Sequence, residues 1–295
     1  VLRWLGYHRD VALIVVDPLA RTAVPVDPEE PILTYDNAAA TRGDGIFEAA
    51  LVRRGSIVGR ELHLDRFARS ARLMDLPDVD RPLWEAALDQ MLELRAEKTE
   101  DYSIRWILSR GREHSGDSPI GWIEDFPMNP QTVERRTSGV RVVTLNRGYQ
   151  AGMAVEAPWL LIGAKTLSYA VNLASSRFAK ARRADEAVWT TTDGFVLEAP
   201  RSNLLLARDG ELLTPDPTLG LLHGTTQQVI FSAMREAGIH CRYARLRAED
   251  LYQADSLWLT SSLRILTPIT HVNSSEVGVS PELSETILAA FDSAV

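Results

Sequence analysis

The sequence predicts an α+β fold in two domains, and three observations carry that expectation. At 295 residues with 45% hydrophobic content, the chain exceeds the usual single-domain size and can bury a substantial core. Strand-like runs follow one another through turn signals instead of alternating strictly with helices, which argues against a doubly wound parallel sheet. Between Phe126 and Gly139, "FPMNPQTVERRTSG" carries two prolines and no sustained apolar period, as a linker does. It divides a smaller N-terminal domain over 1–130 from a larger, hairpin-rich C-terminal domain over 138–295.

The elements follow in order. "VALIVV" reads as a buried strand, and the glycines of "RGDG" imply a turn or a close backbone approach ahead of a second strand. In "ELHLDRFARSARLMDL", Leu64, Phe67, Ala68, Ala71 and Met74 share one side of a 3.6-residue period, so this is an amphipathic helix with Arg66 beside its apolar stripe. "RPLWEAALDQMLELRAEK" gives a second helix. Tyr102, Ile104, Trp106 and Leu108 then alternate as in a half-buried strand. The second half reads as strands "VRVVTL" and "WLLIGA", a helix from Leu167 through Arg183, strand "EAVWTT", a hairpin turn at Asp193-Gly194, and strands "FVLEA" and "NLLLA". A turn at Asp209-Gly210 precedes the helix "TTQQVIFSAMREAG", which Gly238 caps, and strands "HCRYARL" and "DSLWLTSS" follow.

Composition narrows the function. A net charge of −8 repels phosphates, so a nucleic-acid partner is not expected, and the short clusters "VRRG" and "KARRA" read as solvated charges. Cys241, the only cysteine, forms no intrachain disulfide and is too few for a thiolate zinc site; a reducing cytoplasm and no metal are expected. "VALIVV" is too short for a bilayer span and lacks a signal-sequence flank, so no membrane role is expected.

Chemistry gathers around Lys165. It follows the apolar run "WLLIGA", and the next helix would bury Leu167, Val171, Ala174, Phe178 and Ala181, which turns the ammonium toward a cleft. Desolvation there makes the neutral amine accessible, as Schiff-base formation with a carbonyl requires. A lone lysine in such a place ordinarily snorkels to solvent or pairs with a carboxylate. Downstream, "TTDGFVLEAPRSNLLLA" sets Glu198 among apolar neighbours, where a carboxylate needs a cation to stay ionised; a protonated pyridine nitrogen would supply one. "GLLHGTTQQVIF" then puts Gly224, Thr225 and Thr226 at a helix start, suited to a phosphate dianion or to ordinary capping.

Lysine, strand-end glutamate and "G-T-T" helix start resemble, in order and spacing, the fold-type IV pyridoxal-phosphate enzymes: branched-chain aminotransferases, D-amino-acid aminotransferases and 4-amino-4-deoxychorismate lyases. The resemblance runs from "RGDGIFEAALVRRG" to "SLWLTSSLRILTPIT", and "SRGRE", "AKTLSYAVN", "TDGFVLEAPRS" and "LHGTTQQ" look most like the actinobacterial lyase branch. It implies a barrel-like C-terminal domain, an interdomain cofactor cleft and a homodimer. It implies that Lys165 carries the cofactor aldehyde, Glu198 binds the pyridine nitrogen, and Arg66 meets the phosphate with Thr225, Thr226, Ser261 and Ser262. Tyr169 matches the tyrosine on the phenolic oxygen, and Ser202 and Asn203 complete the implied cofactor contacts.

The implied activity is aminodeoxychorismate lyase, which expels pyruvate to leave 4-aminobenzoate for folate synthesis. The alternative is a class IV aminotransferase acting on D-amino or branched-chain amino acids with 2-oxoglutarate. In either case the substrate is a small molecule with an amine and a carboxylate. "SRGREHSGDS" offers Arg110 and Arg112 for that carboxylate, with Arg110 favoured by its place after an alternating strand and His114 reading as an exposed loop residue. Lyases of the bacterial type often carry a threonine soon after "GDG-x-F"; here Glu48 and Ala49 stand instead. A cofactor-free interaction protein that keeps Lys165 as an ion-pair partner of Glu198 is the non-enzyme alternative.

Overall fold

The computed structural model describes residues 11–114, 116 and 118–295, so the first ten positions of the expected domain over 1–130 lie outside the described residues. The chain forms two compact units. One runs to Met128 and takes back Lys165–Ser168; the other holds Asn129–Ala164 and Tyr169–Val295.

The first unit is built on a six-stranded antiparallel sheet: β1 (Leu13–Asp17), β2 (Thr22–Val26), β3 (Gly45–Arg53), β4 (Ser56–Ile57), β5 (Tyr102–Ser109) and β6 (Ile120–Pro127), in the order β2-β1-β6-β5-β3-β4. β5 alternates as expected on its covered face, yet of its eight residues only Arg105 is exposed, because β3 and β6 flank it and both faces are covered. The helix Arg60–Leu73 packs on β3, and Arg81–Leu94 packs on β1 and β6. Their meeting point is aromatic: Phe67 stands edge-on to Trp84 at 4.9 Å and to Trp106 at 6.3 Å. Gly121 is needed there, since a Cβ would meet the Trp84 ring at 2.6 Å.

The "RGDG" glycines do what their spacing suggests. Gly43 has φ +70°, and a Cβ on Gly45 would meet the Leu108 carbonyl at 2.7 Å and the Leu167 side chain at 2.8 Å. Leu167 is there because Lys165–Leu167 lies along the edge of β3: Phe47 N donates to Lys165 O (3.0 Å), and Leu167 N donates to Gly45 O (2.8 Å).

The second unit holds a mixed sheet: β7 (Val140–Asn146), β8 (Glu186–Thr190), β9 (Asn203–Arg208), β10 (Glu211–Pro215), β11 (His240–Ala244), β12 (Ser256–Thr260) and β13 (Thr267–Val272), with β14 (Ser275–Glu276) on β13. The order is β11-β10-β9-β12-β13-β7-β8. Hairpins account for less of it than expected. β7/β8, β7/β13 and β10/β11 are parallel, and the helices Ala170–Ala181 and Thr225–Glu236 lie in the β7–β8 and β10–β11 connections. The core gathers Val140, Val188, Leu204, Leu206, Leu257, Leu259 and Ile269 between the strands.

Three local expectations are corrected. The linker-like stretch contains a helix, Pro130–Ser138, capped by Asn129 and ended by Gly139 at φ +73°; it buries no residue, which is why no apolar period marks it. "WLLIGA" is no strand: Pro158–Leu160 is a 3-10 turn and Leu161 and Gly163 take positive φ, so the backbone curls and leaves Trp159 76% exposed. The helix after Lys165 starts at Ala170, and its apolar stripe faces outward: Val171 and Phe178 are exposed, whereas Ser176 and Ala179 are buried.

Candidate active site

In the first unit, one buried carboxylate organises the site. Glu48, fully buried on β3, accepts from Arg66 Nε (2.7 Å) and Arg66 NH2 (2.6 Å), and its Oε2 lies 2.7 Å from His63 Nδ1. His63, Arg66 and Ser70 recur every third or fourth residue of the helix Arg60–Leu73, so one face presents all three. Burial raises the Glu48 pKa, but the Arg66 charge and hydrogen bonds, helped by His63, outweigh it and hold the group at about 2. Burial lowers the His63 pKa; Glu48 opposes this, while Arg66 and Lys165 push the same way as burial. Burial thus disfavours the charged form of the imidazole at this position.

Lys165 stands next to this network. Its backbone N donates to Ser70 Oγ (3.1 Å), and its half-buried Nζ lies 4.4 Å from the centre of the Phe47 ring. Pairing with the β3 edge aims Lys165 to the same side as Phe47, which fixes where the amine can reach. The expected half-burial of Lys165 is met by a strand edge, not by the end of a strand of its own.

In the second unit the acid is Glu198. Its Oε1 accepts from Leu222 N (3.1 Å) and its Oε2 from Asn203 Nδ2 (3.1 Å); Asn203 also donates to Leu222 O (2.7 Å). Tyr149, whose hydroxyl donates to Gly220 O (2.9 Å), is pushed up to about 12 by burial and by the Glu198 charge. Tyr169 opens the helix Ala170–Ala181, and its hydroxyl donates to Pro200 O (3.2 Å), which also accepts from Asn172 (2.6 Å).

The helix Thr225–Glu236 begins at Gly224 with no side-chain cap. A Cβ on Gly224 would fall 2.0 Å from Asn203 Oδ1, so only glycine lets the Asn203 amide and this helix start come together. Thr225 and Thr226 are buried, with Thr226 Oγ1 3.5 Å from Ser262 Oγ. Ser261 closes the neighbouring turn: its carbonyl accepts from Ile265 N (2.7 Å), and its Oγ accepts from Arg264 N (3.4 Å).

The two arginines expected near a substrate carboxylate are engaged elsewhere. Arg110 donates to the Asp44 carboxylate (2.6 and 3.2 Å) and to the carbonyls of Asp75 (2.9 Å) and Met74 (2.6 Å), where it fastens the end of a helix. Arg112 Nε donates to both oxygens of Asp36 (3.1 Å). His114 is exposed. Sequence reasoning missed the supporting partners His63, Phe47, Ser70, Tyr149 and Leu222. Only His63 left a signal, its spacing from Arg66 and Ser70 on one helix face.

This donor set suits a ligand with an aldehyde, a basic ring nitrogen and a phosphate. Three buried polar atoms of the second unit have no hydrogen-bond partner among the described residues, and besides Thr267 Oγ1 on β13 they are Ser202 Oγ, beside the Glu198–Asn203 pair, and Gln227 Nε2, in the first turn of the helix, which suit a polar guest. A lysine amine in the first unit and, in the second, a carboxylate held by amide donors and a helix start without a side-chain cap are the kinds of group that pyridoxal-phosphate chemistry uses.

Comparison with known proteins agrees. The chain belongs to the family described as amino-transferase class IV, whose profile matches residues 45–272. It is 39% identical over 278 residues to a bifunctional aminodeoxychorismate lyase / D-amino acid transaminase of Mycobacterium tuberculosis, covering 92% of this chain and 96% of that one. A D-alanine aminotransferase of Listeria monocytogenes is 27% identical over 259 residues, covering 85% and 86%. Among solved structures, a hypothetical aminotransferase from Mycobacterium tuberculosis in its PLP-bound form superposes with a TM-score of 0.90 at 38% identity, covering 96% of this chain and 98% of that one. A fold IV-transaminase from Curtobacterium pusillum gives the same TM-score of 0.90 at 37% identity, covering 96% and 99%. The expected fold class and cofactor are thus borne out: this is a two-domain class IV enzyme of pyridoxal phosphate. Among the described residues no group of three His, Cys, Asp or Glu could hold a metal, and no helix is long and apolar enough to cross a membrane.

Proposed function

We propose that the chain is a 4-amino-4-deoxychorismate lyase, releasing pyruvate and 4-aminobenzoate. The observation that carries the choice is the engagement of Arg110 with Asp44 and of Arg112 with Asp36. A transaminase substrate bears a carboxylate on the carbon that carries its amine, and a nearby arginine is the usual trap. The lyase substrate has its amine on a ring carbon without a carboxylate, so committed arginines are no handicap. The name of the 39%-identical relative includes this activity.

When bound, pyridoxal phosphate supplies the aldehyde that takes the substrate amine and the ring that accepts the electron pair as a C–H bond breaks. Lys165 would hold that aldehyde until the substrate amine replaces it, and its amine would then be the base for the proton on the ring carbon bearing the substrate amine. Pyruvate then departs and the substrate ring becomes aromatic. Glu198, oriented by Leu222 N and Asn203, holds a proton at the pyridine nitrogen, and Tyr169 is assigned to the phenolic oxygen. Arg66, Thr225, Thr226, Ser261 and Ser262 hold the phosphate, with Ser202 beside Asn203. A homodimer fits the exposed Val171, Leu173 and Phe178 of one helix and the exposed Val155, Trp159 and Leu160 ahead of it in the chain. A cytoplasmic setting fits the single buried Cys241.

The second reading, D-amino-acid transamination with 2-oxoglutarate, is supported by the names of the Mycobacterium and Listeria relatives. One experiment separates the two. Purified enzyme receives aminodeoxychorismate, then separately D-alanine or L-leucine with 2-oxoglutarate, and 4-aminobenzoate, pyruvate and glutamate are followed. Aminobenzoate with pyruvate is expected; glutamate without aminobenzoate would overturn the lyase assignment.

A further inference from the structure

Two arginines on neighbouring helices of the first unit are treated in opposite ways. Arg81, at the start of the helix Arg81–Leu94, collects three carboxylates from its surroundings: Asp65 at 2.6 Å, Glu85 at 2.8 Å and Glu61. Two of these, Glu61 and Asp65, belong to the helix Arg60–Leu73 and would otherwise serve its own cations. Arg69 is the cation left out. Asp65 sits four residues before it, the favoured spacing for an ion pair, yet is spent on Arg81. Arg69 is half-buried and makes no hydrogen bond or ion pair with any described residue. It also stands one turn from Arg66, so two guanidinium groups adjoin on one helix face, an arrangement that destabilises a helix. Burial and the Arg66 charge both depress its pKa, with Glu48 opposing, which places it in the field of the Glu48–Arg66 pair.

Charge counting says what this arrangement is for. The Arg66 charge is already matched by Glu48 at 2.6 Å, so that pair carries no net charge, and burial disfavours a charge on His63 beside it. A phosphate monoester is close to a dianion at neutral pH. Docked on Arg66, it would find no net positive charge from that pair. Arg69 is the nearest group on the helix that supplies one.

We infer that Arg69 is a second cationic contact for the anion that Arg66 takes, left without a carboxylate so that its charge is available to a phosphate. The inference rests on the assignment of Arg66 to the cofactor phosphate, and deepens it. Arg69 is a binding residue, with no part in proton transfer.

The test compares wild type, Arg69→Ala and Arg69→Lys, with Arg66→Lys as the reference for the anion site. Cofactor is removed and three probes are titrated: pyridoxal phosphate by its absorbance, pyridoxal without phosphate, and inorganic phosphate by its effect on melting temperature. Arg69→Ala is expected to weaken pyridoxal phosphate about tenfold, as loss of a charge-assisted contact does, and to leave pyridoxal within about twofold. Arg69→Lys should restore most of the affinity. The melting temperature of the cofactor-free Arg69→Ala protein should stay level or rise by about 1–2 °C, since a like-charge neighbour is removed; a purely structural arginine would lower it. Equal weakening of pyridoxal and pyridoxal phosphate, or no weakening of either, overturns the inference while the cofactor assignment stands. Stabilisation by inorganic phosphate that depends on Arg69 in a protein that takes up no pyridoxal phosphate would sink the assignment and keep the anion site.

Discussion

The two units hold their key carboxylates by different means. In the first, Glu48 is pinned by a guanidinium at 2.6 Å and an imidazole at 2.7 Å with no access to solvent. In the second, Glu198 is half-buried and receives amide N–H groups at 3.1 Å. Charge-assisted bonds are shorter and roughly twice as strong as neutral ones. The comparison teaches that the first carboxylate is committed to architecture and the second is oriented yet left responsive to a ligand. Glu48 thus positions Arg66, whereas Glu198 is the carboxylate that the proposed function assigns to the pyridine nitrogen.

Breaking the comparison at the amine should have the largest effect. Lys165→Ala is expected to lower turnover by about a thousandfold or more and to abolish the yellow, borohydride-bleachable colour, with folding retained by circular dichroism. Retained colour would show that another amine carries the aldehyde. Glu48→Gln should act on stability instead: it leaves the buried Arg66 without its counter-charge, at a cost of about 3–5 kcal/mol, read by urea denaturation. A loss no greater than that of an exposed pair would mean that Arg66 finds another partner.

The smallest effect sharpens the comparison through pH. The His63 pKa is lowered on folding from 6.5, so the unfolded chain holds more protons below that value: stability is full above pH 6.5 and declines as pH falls through it. The Glu48 pKa is also depressed, from 4.5 to about 2, so a second decline begins below pH 4.5 and is complete near pH 2. Melting temperature against pH should show both steps, and His63→Gln should remove the first and narrow the second.

Much of this was legible in the sequence where residues must satisfy local rules. The helix over Arg60–Leu73 announced itself by its apolar period, and the "RGDG" turn by glycines that no other residue can replace. Lys165, Glu198 and the Thr225–Thr226 helix start stood out because charge or hydroxyl groups beside apolar runs need a reason. What escaped depends on partners remote in the chain. β6 was missed because "IGWIEDFP" carries a glycine whose purpose is to admit the Trp84 ring, and the helix Pro130–Ser138 was missed because it has no apolar face. The stripe Val171, Ala174 and Phe178 was read correctly as periodic but given the wrong side: within one chain those residues are exposed, and periodicity cannot say which molecule covers them.

The hydrogen bonds that seat Lys165–Leu167 on the edge of β3 also set a schedule for synthesis. Residues 11–128 leave the ribosome with that edge bare, a row of unsatisfied N–H and C=O groups that invites a stranger's strand. The gap closes only when position 168 has emerged, by which time the next unit has begun to appear. The segment that carries Lys165 therefore arrives as the last piece of the first unit, and its backbone doubles as that sheet's protection from aggregation.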